Sequence, residues 1–318
     1  MQTALLIILV SFFAMNMGAS GFAPSMAAAY GAGFLDRLWT VLFFSLFVLL
    51  GAVVAGGRVA ETISHDIVPS GYMDTTVALI VITAATISLF LANLLKVPQS
   101  TSQVTVGSLV GVGIHLGHLN GAPFKLMIPL WFILPFAAYS ITLILGKWAY
   151  PRLRKYVLAQ NLMRRYRLLQ AFVIASSCYA AFSIGSNNVA NAAGPLVGAN
   201  IISAMAATLF VAPFFGMGGA ALGFGNLETA GKELTPLGVL SATLVSFVGA
   251  SLLLVASGLG MPASEVQIKL GAIFAIGVVK NGHVFMFRNP AARRSAVVWV
   301  VAPVLSVAIA WGLARVFI

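Results

Sequence analysis

The chain has little cysteine and little charge. Cys178 is the one cysteine among 318 residues, so no internal disulfide can form. Lys, Arg, Asp and Glu make up 8% of the residues, whereas soluble domains carry roughly a quarter. Because 60% of the residues are hydrophobic, this shortage of charge excludes an ordinary soluble domain and predicts a polytopic membrane protein.

Acidic residues are scarcer than basic ones, with seven Asp and Glu against 18 Lys and Arg. The basic residues are concentrated between hydrophobic runs, which is typical of cytoplasmic loops, so the net charge of +11 does not indicate nucleic-acid binding. The four histidines lie in or near loops without metal-ligand spacing, and Cys178 lies in an apolar run. We therefore expect no metal site, no cofactor and no nucleophile.

Hydrophobic runs divide the chain into membrane elements. The run that begins at Met1 lacks the positive residues of a signal peptide, so we interpret it as a retained first element. Two runs, 3–33 and 168–200, are too long for one straight span and contain a glycine-rich polar break, which predicts broken or re-entrant helices. Two short runs, 102–114 and 266–279, predict half-helices whose N-termini point into the membrane. The runs long enough for full spans are 38–56, 76–95, 126–146, 201–222, 236–259 and 295–314.

The two halves of the chain repeat each other. At an offset of 167 residues, the Glu-Thr pair at 61–62 recurs at 228–229, which carries weight because acids are so scarce. At an offset of 164 residues, the pattern Pro-x-Ser-x-x-Gln-x-x-x-Gly that begins at Pro98 recurs from Pro262. Chance does not explain these coincidences, so we predict two structural repeats.

The charges of the loops predict that the repeats have opposite orientations. The segment 147–167 carries seven Lys and Arg and no acid, so we expect it in the cytoplasm. The loop 116–125 has one Lys, whereas its repeat partner, 280–294, has four Lys and Arg. We therefore predict an all-α membrane protein of two inverted-topology repeats, 1–146 and 168–318, which are joined by the basic linker 147–167. Both termini lie outside, and the polar breaks meet near the bilayer midplane.

An amide cluster interrupts the second half. The stretch 185–192 reads GSNNVANA, which places Asn187, Asn188 and Asn191 in five residues of an otherwise apolar region. An unpaired amide in hydrocarbon costs several kcal/mol, so these groups need partners. A single Asn often joins membrane helices to each other. Three amides beside a glycine favour a protein-lined cavity or a bound solute instead.

Several motifs resemble those of the inorganic phosphate transporter family. That family carries Gly-Ala-Asn-Asp-Val-Ala-Asn-Ala in each half, then Gly-x-x-Val-x-x-Thr-Ile, and then Pro-Val-Ser-Thr-Thr-His. The chain has GSNNVANA at 185–192, VAETI at 59–63 and PQSTSQ at 98–103, and the resemblance runs through nearly its whole length. It implies a secondary transporter of an inorganic oxyanion.

The departures from the family are informative as well. Both motif aspartates are missing, because Gly21 and Asn188 stand in their places. In members that transport phosphate, the resemblance implies that these acids belong to sodium sites, and hard cations prefer carboxylate and carbonyl oxygen. Their loss argues against a sodium site here. The stretch 17–21, MGASG, resembles the first motif of the sulfate permease branch of the family.

Hydrogen-bond donors dominate the expected substrate site. Sulfate has two charges and no proton at neutral pH, so its site needs donors and gains from the loss of carboxylates. Phosphate fits the same set of donors, but a protonated phosphate is better served by an acceptor such as the missing Asp. Helix N-termini after Pro98 and Pro262 add N–H groups and a positive dipole end. The predicted substrate-binding residues are Ser20, Ser100, Thr101, Ser102, Gln103, Asn187, Asn188, Asn191, Ser264, Gln267 and Lys269.

Three acids are candidates for coupling or gating. Glu265 and Lys269 are four residues apart on a predicted helix, so they can pair. The pair is either a buried neutralising pair or a titratable acid beside the anion with a lysine that assists the substrate charge. Glu61 and Glu228 lie in loop-like segments, where acids are usually solvated, but their symmetric recurrence makes them gate or coupling candidates.

These features predict a secondary active transporter, or permease, that imports sulfate by proton symport and alternating access in a bacterial inner or plasma membrane. A phosphate transporter of the same family and an anion channel remain alternatives. An intramembrane enzyme would need a nucleophile with its base, or a metal, and the sequence shows neither. The expected partners are sulfate, phosphate or thiosulfate, protons and the lipid bilayer, with a homodimer as an open alternative and no nucleic acid.

Overall fold

Apolar runs form helices here because a backbone in hydrocarbon must satisfy its polar groups internally. The computed structural model describes residues 1–94, 99–225, 227, 238–281 and 290–318, and these contain helices and no strand. The first half forms α1 (Gln2–Gly31), α2 (Arg37–Ala55), α3 (Gly57–Glu61), a π-helix (Thr62–Asp66), a 3-10 turn (Ser70–Tyr72), α4 (Thr75–Leu94), α5 (Thr101–Leu116) and α6 (Phe124–Ala159). The second half forms α7 (Leu162–Gly198), α8 (Ala204–Leu222), α9 (Val239–Gly258), α10 (Glu265–Asn281) and α11 (Pro290–Phe317).

Four of the six predicted full spans are confirmed. In the described part of the chain, six helices are long and apolar enough to cross a membrane, and α4 and α11 contain shorter apolar helices. The four confirmed runs overlap α2, α6, α8 and α9, and the other two helices of spanning length are α1 and α7. The predicted spans at 76–95 and 295–314 overlap α4 and α11, which contain the shorter apolar helices. The two predicted half-helices are α5, with 16 residues, and α10, with 17. At about 1.5 Å per residue both are too short to cross the hydrocarbon comfortably.

The prediction of broken or re-entrant helices at 3–33 and 168–200 is wrong. Helix α1 is continuous over 30 residues, and α7 is continuous over 37, through the whole amide cluster. Pro24 in α1 and Pro195 in α7 each remove one backbone hydrogen bond without ending the helix. Neighbouring helices cover the polar backbone and side chains at these points, which a hydropathy pattern does not reveal.

The basic linker 147–167 is not a loop. Helix α6 continues to Ala159 and α7 begins at Leu162, so most of the linker extends two membrane helices. Asn161 caps α7, because its side chain accepts a hydrogen bond from the backbone N–H of Arg164 at 2.9 Å. The basic residues therefore lie on helical extensions of the apolar spans. The cytoplasmic location of the linker remains a prediction.

The two repeats pack by the same rules. Helix α1 crosses α8 just as α7 crosses α2, and α5 packs on α11 as α10 packs on α6. A side chain at Gly18 would collide with the carbonyl oxygen of Phe215, and one at Gly185 would collide with that of Val48. Residues 48 and 215 are themselves related by the 167-residue offset. The glycine matches in the sequence therefore mark two equivalent close crossings between the halves.

Opposite orientation of the halves predicts opposite labelling of two exposed positions. Arg152, on the basic extension of α6, and His118, in the α5–α6 connection, are both exposed. A single cysteine at His118 is expected to react with a membrane-impermeant maleimide added to intact cells. A single cysteine at Arg152 is expected to be protected, because it faces the cytoplasm. Cys178 is buried and gives little background. Labelling of both cysteines from the same side would contradict the inverted topology.

Candidate functional site

Helices α5 and α10 begin in the same way and meet. The Ser100 hydroxyl accepts a hydrogen bond from the backbone N–H of Gln103 at 3.2 Å, and the Ser264 hydroxyl accepts one from Gln267 at 3.2 Å. The two glutamine side chains then bond to each other in both directions, at 3.2 and 3.0 Å. Because these residues are equivalent by the 164-residue offset, their reciprocal pairing places a pseudo-two-fold axis between the helix N-termini.

A small cavity lies beside these N-termini, between the two halves. Its volume is about 10 Å³, roughly the space of one water molecule. Residues of α1, α7, the α4–α5 segment and the start of α10 contribute to it. The lining residues are Met17, Ser20, Gly21, Gln99, Ser100, Thr101, Asn188, Ala263, Glu265 and Val266. The predicted site residues Ser20, Ser100, Thr101, Asn188 and Glu265 therefore converge on one cavity.

Two amides in this lining have atoms without partners. Gln99 and Asn188 are only 5% and 6% exposed. Among the described residues, neither polar atom of the Gln99 side chain has a hydrogen-bond partner, and neither does Oδ1 of Asn188. Buried polar groups in proteins are nearly always hydrogen-bonded to protein, water or ligand, so such atoms mark a place for a polar partner in this cavity.

Pro24 adds a further polar group to this region. A proline has no N–H, so the carbonyl four residues earlier in the helix, that of Ser20, has no helical donor. Ser20 lines the cavity. Ser20, a residue of the cavity lining, therefore has a backbone carbonyl without its helical donor in addition to its hydroxyl.

Glu265 and Lys269 form a buried ion pair at the start of α10, as the spacing predicts. The lysine Nζ donates to Oε1 of Glu265 and also to the backbone carbonyl of Pro24, at 2.9 Å. Glu265 is in the cavity lining, whereas Lys269 is not. The lysine therefore connects α10 to α1 and lies behind the acid, with its charge already paired.

Other predicted site residues form hydrogen bonds between helices. Asn187 donates to the Ser257 hydroxyl and to the Met261 carbonyl, both at 3.1 Å, and accepts from the Ala263 N–H at 2.9 Å. Asn191 donates to the Ser102 hydroxyl at 2.9 Å. Neither Asn187 nor Asn191 is among the lining residues. The amide cluster thus divides, with Asn188 facing the cavity and Asn187 holding the α9–α10 connection to α7.

The remaining acid candidates lie elsewhere. Glu61 is exposed at the end of α3 and does not line the cavity, and Glu228 lies outside the described residues, as does Pro98. Next to Glu61, Arg58 donates to the carbonyl of Gly258 at 2.5 Å. This contact joins the first half to the tip of the α9–α10 hairpin of the second half.

Sequence reasoning missed Gln99. Its position before the Ser100 cap falls in the PQSTSQ motif, but its repeat equivalent is Ala263, so symmetry did not single it out. The feature of the sequence that could have indicated Gln99 is an amide shortly before the predicted half-helix 102–114.

Comparisons with known proteins agree with this architecture. A model of the phosphate transporter family matches residues 17–310. The sulfate permease CysP of Bacillus subtilis is 37% identical over 308 residues, which cover 96% of this chain and 86% of that protein. A putative phosphate permease of Pyrococcus abyssi is 26% identical, covering 87% of this chain and 89% of that protein. A solved structure titled the sodium-dependent phosphate transporter has a TM-score of 0.81 at 21% identity, covers 98% of both chains and shares the fold.

Proposed function

The chain belongs to the phosphate transporter family, and from this premise we propose that it imports sulfate together with protons by alternating access. As a member of that family it is a multi-pass cell-membrane protein that transports an inorganic anion, and it is not an enzyme. The choice of sulfate, the coupling ion and the access mechanism are the parts that need argument.

The observation that carries the choice of sulfate is the chemistry of the cavity lining. Hydroxyl and amide groups surround the cavity, and the described lining has one carboxylate, Glu265, which is paired with Lys269. Gly21 and Asn188, which replace the two motif aspartates, both line it. A dianion without a proton is favoured where donors replace carboxylates. The 37% identical relative named a sulfate permease supports the same choice.

The size of the cavity supports alternating access. A volume of about 10 Å³ has room for about one water molecule, so a tetrahedral oxyanion enters only when the walls separate. These walls come from both repeats. Movement of one repeat against the other would open the cavity to one side of the membrane at a time.

The need for coupled cations follows from charge. Moving a dianion into a negative-inside cell costs about 4.6 kcal/mol per 100 mV, twice the roughly 2.3 of one charge, so concentrative uptake requires accompanying cations. Sulfate itself carries no proton at neutral pH. Glu265 is the acid in the described cavity lining, so it is the proposed proton carrier.

A carboxylate at position 188 tests the placement of the anion. Asn188→Asp is expected to weaken sulfate binding by about 10- to 100-fold at neutral pH, because it brings a negative charge to the cavity wall. Isothermal titration of purified protein measures this. Ser88→Ala is the control, because Ser88 is also buried with an unpartnered hydroxyl but does not line the cavity. Equal sulfate affinity of Asn188→Asp and wild type would place the anion elsewhere.

Phosphate is the second candidate, because several relatives are named putative phosphate permeases. Liposomes that contain the purified protein and are supplied with labelled sulfate, phosphate or thiosulfate separate the candidates. Sulfate uptake that exceeds phosphate uptake under a pH gradient supports the proposal. Uptake of phosphate without sulfate would assign the protein to the second candidate.

A further inference from the structure

We infer that Gln99 contacts the transported oxyanion through its side-chain amide. This rests on the proposed function in one respect, namely that the anion occupies the cavity beside α5 and α10. Gln99 lines this cavity and is 5% exposed. It precedes Ser100, the cap of α5, so its backbone is held at the helix N-terminus.

The hydrogen bonding of Gln99 separates it from Gln103, Gln267 and Asn187. Gln103 and Gln267 bond to each other, and the Asn187 side chain is bonded to the α9–α10 connection. Gln99 has no partner for either polar atom among the described residues. A buried amide that stabilised only the protein would be expected to form such bonds, because leaving them unmade costs free energy.

The two repeats differ at this position. Ala263 is the equivalent of Gln99, and its backbone N–H is bound by Asn187. In the first half, the residue equivalent to Asn187 is Ser20, whose shorter side chain forms no hydrogen bond with the described residues. The first half therefore has an amide side chain without a described partner at the position where the second half has the methyl group of Ala263 and a hydrogen bond to its N–H.

The chemistry of an amide suits a tetrahedral oxyanion. The Nε2 group of Gln99 has two N–H donors for anion oxygens, and rotation about the last side-chain bond exchanges the donor and acceptor ends. When Nε2 points at the anion, Oε1 can accept from the Ser20 or Thr101 hydroxyl, both of which line the same cavity. Binding of the anion would thus satisfy both ends of the side chain.

The test compares Gln99→Met and Gln99→Glu with wild type in sulfate titrations and thermal unfolding of the purified full-length protein. Gln99→Met keeps the length of the side chain but removes its donors, and we expect sulfate affinity to fall by about 10- to 100-fold. The melting temperature without anion is expected to stay equal or rise, because two unpaired buried atoms are removed. Gln99→Glu is expected to bind sulfate more weakly than Gln99→Met, because it adds a like charge.

Thr142→Val is the matched control. Thr142 is also fully buried with an unpartnered hydroxyl, but it lies on α6 and does not line the cavity. It should leave sulfate affinity unchanged. Wild-type sulfate affinity in Gln99→Met would overturn the inference, and so would a loss of affinity accompanied by a large drop in melting temperature. If wild type binds phosphate and not sulfate, the sulfate proposal fails, whereas weaker phosphate binding by Gln99→Met would still support the contact.

Discussion

A disulfide between cysteines introduced at Arg58 and Gly260 is expected to abolish sulfate uptake, and its reduction is expected to restore uptake. A β-carbon built on Gly260 lies 3.4 Å from that of Arg58, close to the usual disulfide separation of about 3.5–4.5 Å. The bond would fix α3 of the first half to the tip of the α9–α10 hairpin of the second half. Uptake into liposomes with and without reductant, in a Cys178→Ala background, measures the effect.

The physical reason lies in the symmetry of the repeats. If the two end states arise because the halves exchange conformations, a contact between equivalent residues is preserved, whereas a contact between non-equivalent residues is replaced. Gln103 and Gln267 are equivalent, so their mutual bonds are expected to persist in both states. Arg58 and Gly258 are not equivalent, so their hydrogen bond is expected to break when access changes sides.

A second pair of cysteines controls for the chemistry of cross-linking. A β-carbon on Gly113 also lies 3.4 Å from that of Leu119, but both residues belong to the end of α5 and the turn that follows. A Gly113→Cys/Leu119→Cys disulfide should leave uptake intact. Gly260 has φ +75°, where a side chain is strained, so the reduced Arg58→Cys/Gly260→Cys protein must first transport normally. Full uptake by the oxidised Arg58→Cys/Gly260→Cys protein would contradict alternating access at this contact.

Glu265→Gln is expected to abolish the accumulation of sulfate while sulfate–sulfate exchange continues. The amide cannot release a proton, so the variant would carry the anion without the coupled charge. In wild type we expect uptake to rise as external pH falls, to collapse with a protonophore and to be unchanged when sodium is removed. Proteoliposomes with imposed pH, sodium and voltage gradients measure accumulation and exchange separately.

Two further variants make the Glu265 test decisive. Glu61→Gln changes an exposed acid outside the cavity and should keep accumulation. The double variant Glu265→Gln/Lys269→Gln removes the buried lysine that the single substitution leaves without its acid, and it separates loss of coupling from loss of folding. Accumulation driven by a sodium gradient at constant pH would refute proton coupling.

The membrane elements were predictable because hydrophobic length is a local property of the sequence. The runs at 38–56 and 126–146 and the short helices α5 and α10 appear where the sequence placed them. Continuity of α1 and α7 was not predictable, because a glycine or an amide in a helix is tolerated only if other helices cover it. Gly18 and Gly185 mark close helix crossings here, and the helix is unbroken at both.

The candidate site was partly predictable. The sequence placed Ser100, Asn188 and Glu265 together, because repeat symmetry brings the two motif regions to one axis. It also assigned Asn187 to the substrate and passed over Gln99. The Asn187 side chain is hydrogen-bonded to the Ala263 N–H and the Met261 carbonyl, whereas Gln99 has no such partners in the described part of the chain. These partners of Asn187 lie more than seventy residues away along the chain, so a local pattern does not reveal them.

Sequence by itself determined the class of the protein, the positions of its membrane elements and the repeat. It also determined that the motifs are rich in hydrogen-bond donors and lack both motif aspartates. Each of these depends on residue type and spacing. Tertiary structure decided which donors are hydrogen-bonded within the protein and which face the cavity. Such a bond between helices forms only when a partner atom from another helix lies within reach. Gln103 is bonded across the axis while Gln99, four positions earlier, faces the cavity without a partner among the described residues, and no local pattern distinguishes the two.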